Sequence, residues 1–222
     1  MRHARVRYRV ALLTAWLCLL PPAGAVVDYS TPMARVKDSV SRVIAILKND
    51  TVSRETRWQQ IAVVIDEGFD FRSMSQSVLA THWKSASYEE RDRFTRFFSQ
   101  YIEETYREKI EAYTDQEIMY RNETVKGDRA VVDIAIMTGA TEIPVSFKLK
   151  DNGGQWYAYD VVIEGVSLVA NYRSTFAAIV KNEGMDGLMT DIEQRIRRYK
   201  ERHGQDAGES GGPVVNTPEG DI

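Results

Sequence analysis

The sequence predicts an α+β domain with helices packed on one face of a four-stranded antiparallel meander sheet. Two observations carry that expectation. Apolar residues recur at helical spacing to about residue 110, alternate with period two from Gln116 to Ile163, and return to helical spacing after Glu164–Gly165. The alternating segments are joined by short turns, which link antiparallel neighbours and leave one face for the helices.

The chain begins MRHARVRYRVALLTAWLCLLPPAGA. Arg2, Arg5, Arg7 and Arg9 form a basic start, and Val10 to Leu20 is an apolar run too short to cross a bilayer. Pro21–Pro22 break the helix, and Ala23–Gly24–Ala25 is a small-residue cleavage box. Residues 1–25 therefore read as a cleavable export signal, and the working protein as lying outside the cytoplasm.

Thr31–Pro32 is an N-cap followed by proline at the first helical position, with Val36, Val40, Val43, Ile44 and Leu47 at helical spacing behind it. Trp58, Ile61, Ala62 and Ile65 mark a second helix, and residues 69–83 a short third. Ser87 and Glu90 form a capping box opening a long helix. Its apolar stripe is Phe94, Phe97, Phe98, Tyr101, Ile102, Tyr106 and Ile110.

Ile118 and Tyr120 lead to a hairpin signal at Lys126–Gly127–Asp128. Ala130, Val132, Ile134 and Ile136 then alternate with Val131, Asp133 and Ala135. After a turn at 138–141, Ile143, Val145, Phe147 and Leu149 form the third strand, where Pro144 costs one ladder donor. Asp151–Asn152–Gly153–Gly154 is a turn, and Trp156 to Ile163 the fourth strand. Leu168, Val169, Tyr172, Phe176 and Ile179 restore the helical period, followed by a final helix from Met185 to about Arg202. One domain over 26–202 accounts for this pattern. Residues 203–222, rich in Gly, Pro, Ser and acids without periodicity, read as a disordered tail.

Loss of the signal removes four arginines and no acid, taking the formal net charge from −3 to −7. It also removes Cys18, the single cysteine, leaving His82 and His203 as the imidazoles. A Cys/His zinc site is excluded, and no metal site is expected. The acidic balance argues against nucleic acid and against direct adsorption to anionic bilayers. The basic run Arg195, Arg197, Arg198, Lys200 and Arg202 ends a helix, where cations suit the dipole. His82 reads as an ordinary interhelix or loop histidine.

The stretch WYAYDVVIEGVSLVANYRSTF, Trp156 to Phe176, is the most specific in the chain. It resembles the hallmark W-x-x-Y-D-V-x-x-E-G-V-S-L-V-x-N-Y-R-x-x-F of the MlaC, or toluene-tolerance, family of periplasmic phospholipid carriers. Trp83 to Phe94, with Phe97, Phe98 and Tyr106, is a looser match. One departure is Ala80–Thr81–His82–Trp83, where the family pattern leads one to expect a glycine and a Trp–Arg pair.

The resemblance implies a helix-and-sheet body around an apolar cavity that takes acyl chains, with phospholipid as cargo and no catalytic cofactor. It also implies two partners, an inner-membrane ABC-transporter complex and an outer-membrane lipoprotein–porin assembly. At roughly 0.8 kcal/mol per CH₂, a chain of about 15 carbons needs on the order of 12 kcal/mol from its surroundings. The candidate lining is Phe94, Phe97 and Tyr101 from the long helix and Val132, Ile134, Ile136, Val145, Phe147, Val161 and Ile163 from the strands. Val166, Val169, Tyr172 and Phe176 join it from the motif. Gly165 suits the tight strand-to-helix turn and Ser167 an N-cap. Asp160 and Glu164 can pair with Arg173 at the cavity rim; alternatively Arg173 meets a lipid phosphate. A second reading is an enzyme with Asp133 or Asp160 as a pocket general base, but no nucleophile–base–orienter set accompanies either.

Overall fold

The computed structural model describes residues 29–206. The export signal and the tail beyond residue 206 lie outside the described residues. Five helices precede the sheet: α1 (Pro32–Leu47), α2 (Arg54–Gly68), α3 (Phe71–Leu79), α4 (Thr81–Ser85) and α5 (Tyr88–Glu111). Local chemistry sets most of their starts. Thr31, Ser53 and Asp70 each accept a backbone N–H at an N-terminus, and the Ser87–Glu90 capping box closes both of its hydrogen bonds on α5.

The short third helix of the sequence is two helices, α3 and α4, broken at Ala80, whose φ of 50° and ψ of −113° belong to glycine territory. This is the position where the family pattern would place a glycine. The buried indole of Trp83 beyond it lies beneath the guanidiniums of Arg72 and Arg91, at 5.5 and 5.6 Å.

The sheet has five strands, not the expected four: β1 (Glu117–Lys126), β2 (Arg129–Thr138), β3 (Thr141–Asn152), β4 (Gln155–Ile163) and β5 (Val166–Ser167), antiparallel in chain order. Glu164 and Gly165 both take positive φ, the geometry of a two-residue primed hairpin turn, and so return Val166 and Ser167 against Ile163 and Val162. Two residues cannot show a period, so β5 is invisible to alternation.

Two bulges decide which side chains face the helices. Tyr159 is the extra residue between the Leu149–Ala158 and Lys148–Asp160 pairs. Trp156 and Ala158 point inward before it and Val161 and Ile163 after it, which leaves Asp160 on the opposite face with Lys148. Arg121 plays the same part in β1. Pro144 is accommodated opposite Ala135, and its carbonyl accepts Glu164 N–H at 2.9 Å.

The last helix, α6 (Leu168–Asp206), is interrupted at Gly184, with φ 72° and ψ −175°. Along a straight helix Tyr172 and Tyr199 would stand about 40 Å apart, at 1.5 Å per residue. Both instead lie against the Tyr101 ring, with centroids at 5.5 and 6.1 Å. The helix therefore folds back at Gly184 into a hairpin of two limbs, 168–183 and 185–206, packed on α5. The expected tail boundary at 203 is corrected accordingly. The helix runs on to Asp206, and the imidazole of His203 is buried against Glu104.

Candidate functional site

The register stacks the inward side chains of the sheet in rows. Ala130, Leu149 and Ala158 form one row and Val132, Phe147 and Val161 the next; then come Ile134, Val145 and Ile163, and finally Ile118, Ile136 and Ile143. Exposure is graded along them. Ala130, Leu149, Ala158, Val132, Ile134, Val145 and Val161 are buried, whereas Phe147, Ile118, Ile136, Ile143 and Ile163 are only partly covered.

One end of this apolar trough is closed by the start of the chain. Trp156 donates its indole N–H to Ser30 O, and the buried Arg35 guanidinium donates to Trp156 O and Glu67 O between the rings of Tyr29 and Tyr157. Asp70 N–H donates to Ala158 O at 2.8 Å, tying the α2–α3 junction to the same end. At the other end Ile118, Ile136 and Ile143 are only partly covered.

The helical wall is aromatic. Phe94 and Phe98 stack at 5.6 Å, Phe176 meets both edge-on, and Tyr172 meets Phe98 and Tyr101 edge-on. Phe94, Tyr101, Tyr172, Phe176 and Val169 are thus brought into one buried cluster with Val132 and Ile134. Phe97 is half-covered, with the Arg93 guanidinium 5.3 Å from its ring. Burial holds the Tyr172 phenol far above its ordinary range, and Tyr106 is pushed up to about 12. Both stay neutral hydrogen-bonding groups.

Four expected site residues are placed otherwise. Val166 is 55% exposed on β5 and lines nothing. The rim pairing with Arg173 does not form: Asp160 is committed to Lys148 Nζ at 2.9 Å, Ser167 Oγ at 2.7 Å and Val169 N–H at 3.1 Å. Arg173 donates instead to Ser77 O at 2.8 Å. Glu164 occupies the tight β4–β5 turn at φ 50°. Ser167 caps α6 by accepting Ala170 N–H, as its place in the sequence suggests.

The comparisons with known proteins agree with this architecture. Residues 37–194 match the model of the MlaC protein family. The chain belongs to the MlaC family. An MlaC relative from Haemophilus influenzae, described as an intermembrane phospholipid transport system binding protein, is 30% identical over 123 residues. That match covers 53% of this chain and spans 58% of the relative's length. A solved structure from Ralstonia solanacearum, described as a phospholipid-binding protein in complex with a phospholipid, superimposes with a TM-score of 0.69 at 22% identity. It covers 75% of this chain and 97% of the other. That superposition shows that the two chains share a fold.

The sequence reading missed a polar network beyond the trough. Glu104, Arg107 and His203 are buried, and they join α2, α5 and the end of α6. The signal available was a glutamate and an arginine on the same face as the aromatic stripe of α5, one and two turns past Tyr101.

Proposed function

We propose that this protein carries one phospholipid at a time between membrane complexes, with acyl chains lying along the inner face of β2–β4 and the headgroup at the isoleucine end. The observation that supports this best is the grading of that face, sealed at the Trp156 end and partly open at Ile118, Ile136 and Ile143. It occurs in a chain whose MlaC relative is named for phospholipid transport and whose structural neighbour holds a phospholipid.

With an export signal at its start, the protein works in the periplasm. There it exchanges lipid with an outer-membrane lipoprotein–porin assembly and an inner-membrane ABC-transporter complex, and so maintains outer-membrane lipid asymmetry. No chemistry is required of it. The carboxylates once considered as bases are engaged, Asp133 by Ser146 Oγ at 2.6 Å and Asp160 by its three donors.

A lipid held by several kcal/mol per chain segment leaves slowly unless a partner opens or competes for the site. Native mass spectrometry of gently purified protein should give a mass shift equal to whole phospholipids. Transfer to bare anionic liposomes should be slow, and addition of the inner-membrane complex should accelerate it. Lipid-free protein after gentle purification, or equally fast unassisted transfer, would overturn this reading.

A further inference from the structure

The middle strand of the sheet marks how far the trough reaches. On β3 the inward side chains are Ile143, Val145, Phe147 and Leu149, running from the isoleucine end toward the Trp156 end. Phe147 is partly covered, although Val132 and Val161, its neighbours on β2 and β4, are buried. A central strand is shielded on both sides, so that exposure comes from space between the sheet and the helices. Two residues further on, Leu149 is 0% exposed. The space stops between the two.

What stops it is held in place. Ala130 and Ala158 flank Leu149 in the same row, and both are buried. Along the edge of β4 that β5 leaves uncovered, Phe69 bridges Ala158, and Asp70 N–H donates to Ala158 O. Beyond the row stands Trp156, tied to Ser30 O by its indole N–H and to the buried Arg35 guanidinium by its carbonyl. This floor cannot retreat without leaving buried polar groups unpaired.

The span matches one dimension of a lipid. Ile143 and Leu149 stand six residues apart on one strand, about 20 Å at roughly 3.4 Å per residue. Half the hydrocarbon core of a bilayer is about 15 Å, the reach of an acyl chain in its own leaflet. With the Leu149 side chain filling part of the last row, the trough holds one such length.

On the carrier function proposed above, we infer that Leu149, flanked by Ala130 and Ala158, is the stop that sets how long an acyl chain this protein accepts. Up to the stop, each methylene exchanges one apolar surrounding for another at little net change. Beyond it, a methylene stays in water and occupancy falls about fourfold for each one. Selectivity therefore takes the form of a cut-off in chain length.

The test brings lipid-stripped, signal-free protein to equilibrium with vesicles of phosphatidylglycerols in equal amounts, their chains ranging from shorter to longer than those of ordinary membranes. Mass spectrometry then gives the lipids retained. Occupancy in the parent should hold level and then fall about fourfold for each methylene past the cut-off. Ala130→Leu and Ala158→Leu each add three carbons at the floor of a close-packed site, and should move the cut-off shorter by about three methylenes in total. Leu149→Ala should move it longer. Near-ultraviolet circular dichroism shows which variants keep their packing, and the parent profile decides alone if none does. A parent profile without a cut-off, or a cut-off unmoved in folded variants, would overturn the stop at Leu149 and leave the carrier function standing. A parent that retains no lipid of any length would overturn both.

Discussion

Asp160 Oδ1 accepts the backbone N–H of Val169 at 3.1 Å, so a carboxylate on β4 fixes the first turn of the helix that follows. The same carboxylate takes Lys148 Nζ and Ser167 Oγ, and it lies on the face turned away from the trough. The strand bulge at Tyr159 makes this possible by turning Asp160 outward while Val161 stays inward.

Asp160→Ala leaves three donors without their acceptor, one of them a buried backbone N–H. Stability should fall by about 2–4 kcal/mol, a sum of unmet buried hydrogen bonds. Urea denaturation measures this. A loss below about 0.5 kcal/mol would show that water replaces the carboxylate without cost.

Ala80 holds a backbone conformation that costs a side-chain-bearing residue about 1–3 kcal/mol. Ala80→Gly relieves that strain and loses part of the gain to the freer unfolded chain. A net stabilisation of about 1 kcal/mol should appear as a higher unfolding midpoint, and an unchanged or lower midpoint would mean that Ala80 is not strained.

Phe147 lies between Val132 and Val161 across the sheet and is only partly buried. Phe147→Asp places a charge where acyl chains are proposed to run, at a position open enough for the fold to survive. Phospholipid copurified with the variant, measured by mass spectrometry, should drop several-fold while circular dichroism stays the same. Unchanged occupancy would take Phe147 out of the lipid path.

Glu103 holds its proton to about pH 7 in the folded chain, against 4.5 for an ordinary glutamate. Its contribution to stability is therefore fully present below pH 4.5 and lost as pH rises through 7. Glu103→Gln should be more stable than the parent at pH 8 by on the order of 2–3 kcal/mol, and nearly equal to it at pH 4.5. Denaturation at the two pH values provides the check, and a variant no more stable at pH 8 would refute the shift.

Local pattern was enough for the features it controls. The Ser87–Glu90 capping box, the turns at Gly127, Gly139 and Gly153, and the restart of the helix after Gly184 all express short-range preferences. What escaped depends on distant partners. Asp160 and Arg173 are close in sequence, yet the bulge sends one to Lys148 and the helix carries the other to Ser77. His203 sits in a segment that looks featureless because its partner, Glu104, is 99 residues away. A two-residue strand such as β5 is held by one neighbour and leaves no periodic trace.

The α6 hairpin has a consequence for the order of assembly. The meander is built from neighbours in sequence and can form while the chain is still short, because little loop entropy is lost in closing its turns. Phe94, Phe98 and Tyr101, by contrast, receive Tyr172 and Phe176 from the first limb of α6 and Tyr199 from the second, all of them beyond the sheet in sequence. A chain emerging from its N-terminus therefore presents a bare aromatic ridge from the time α5 appears until α6 follows. It becomes safe from self-association only when α6, Leu168–Asp206, closes over that ridge.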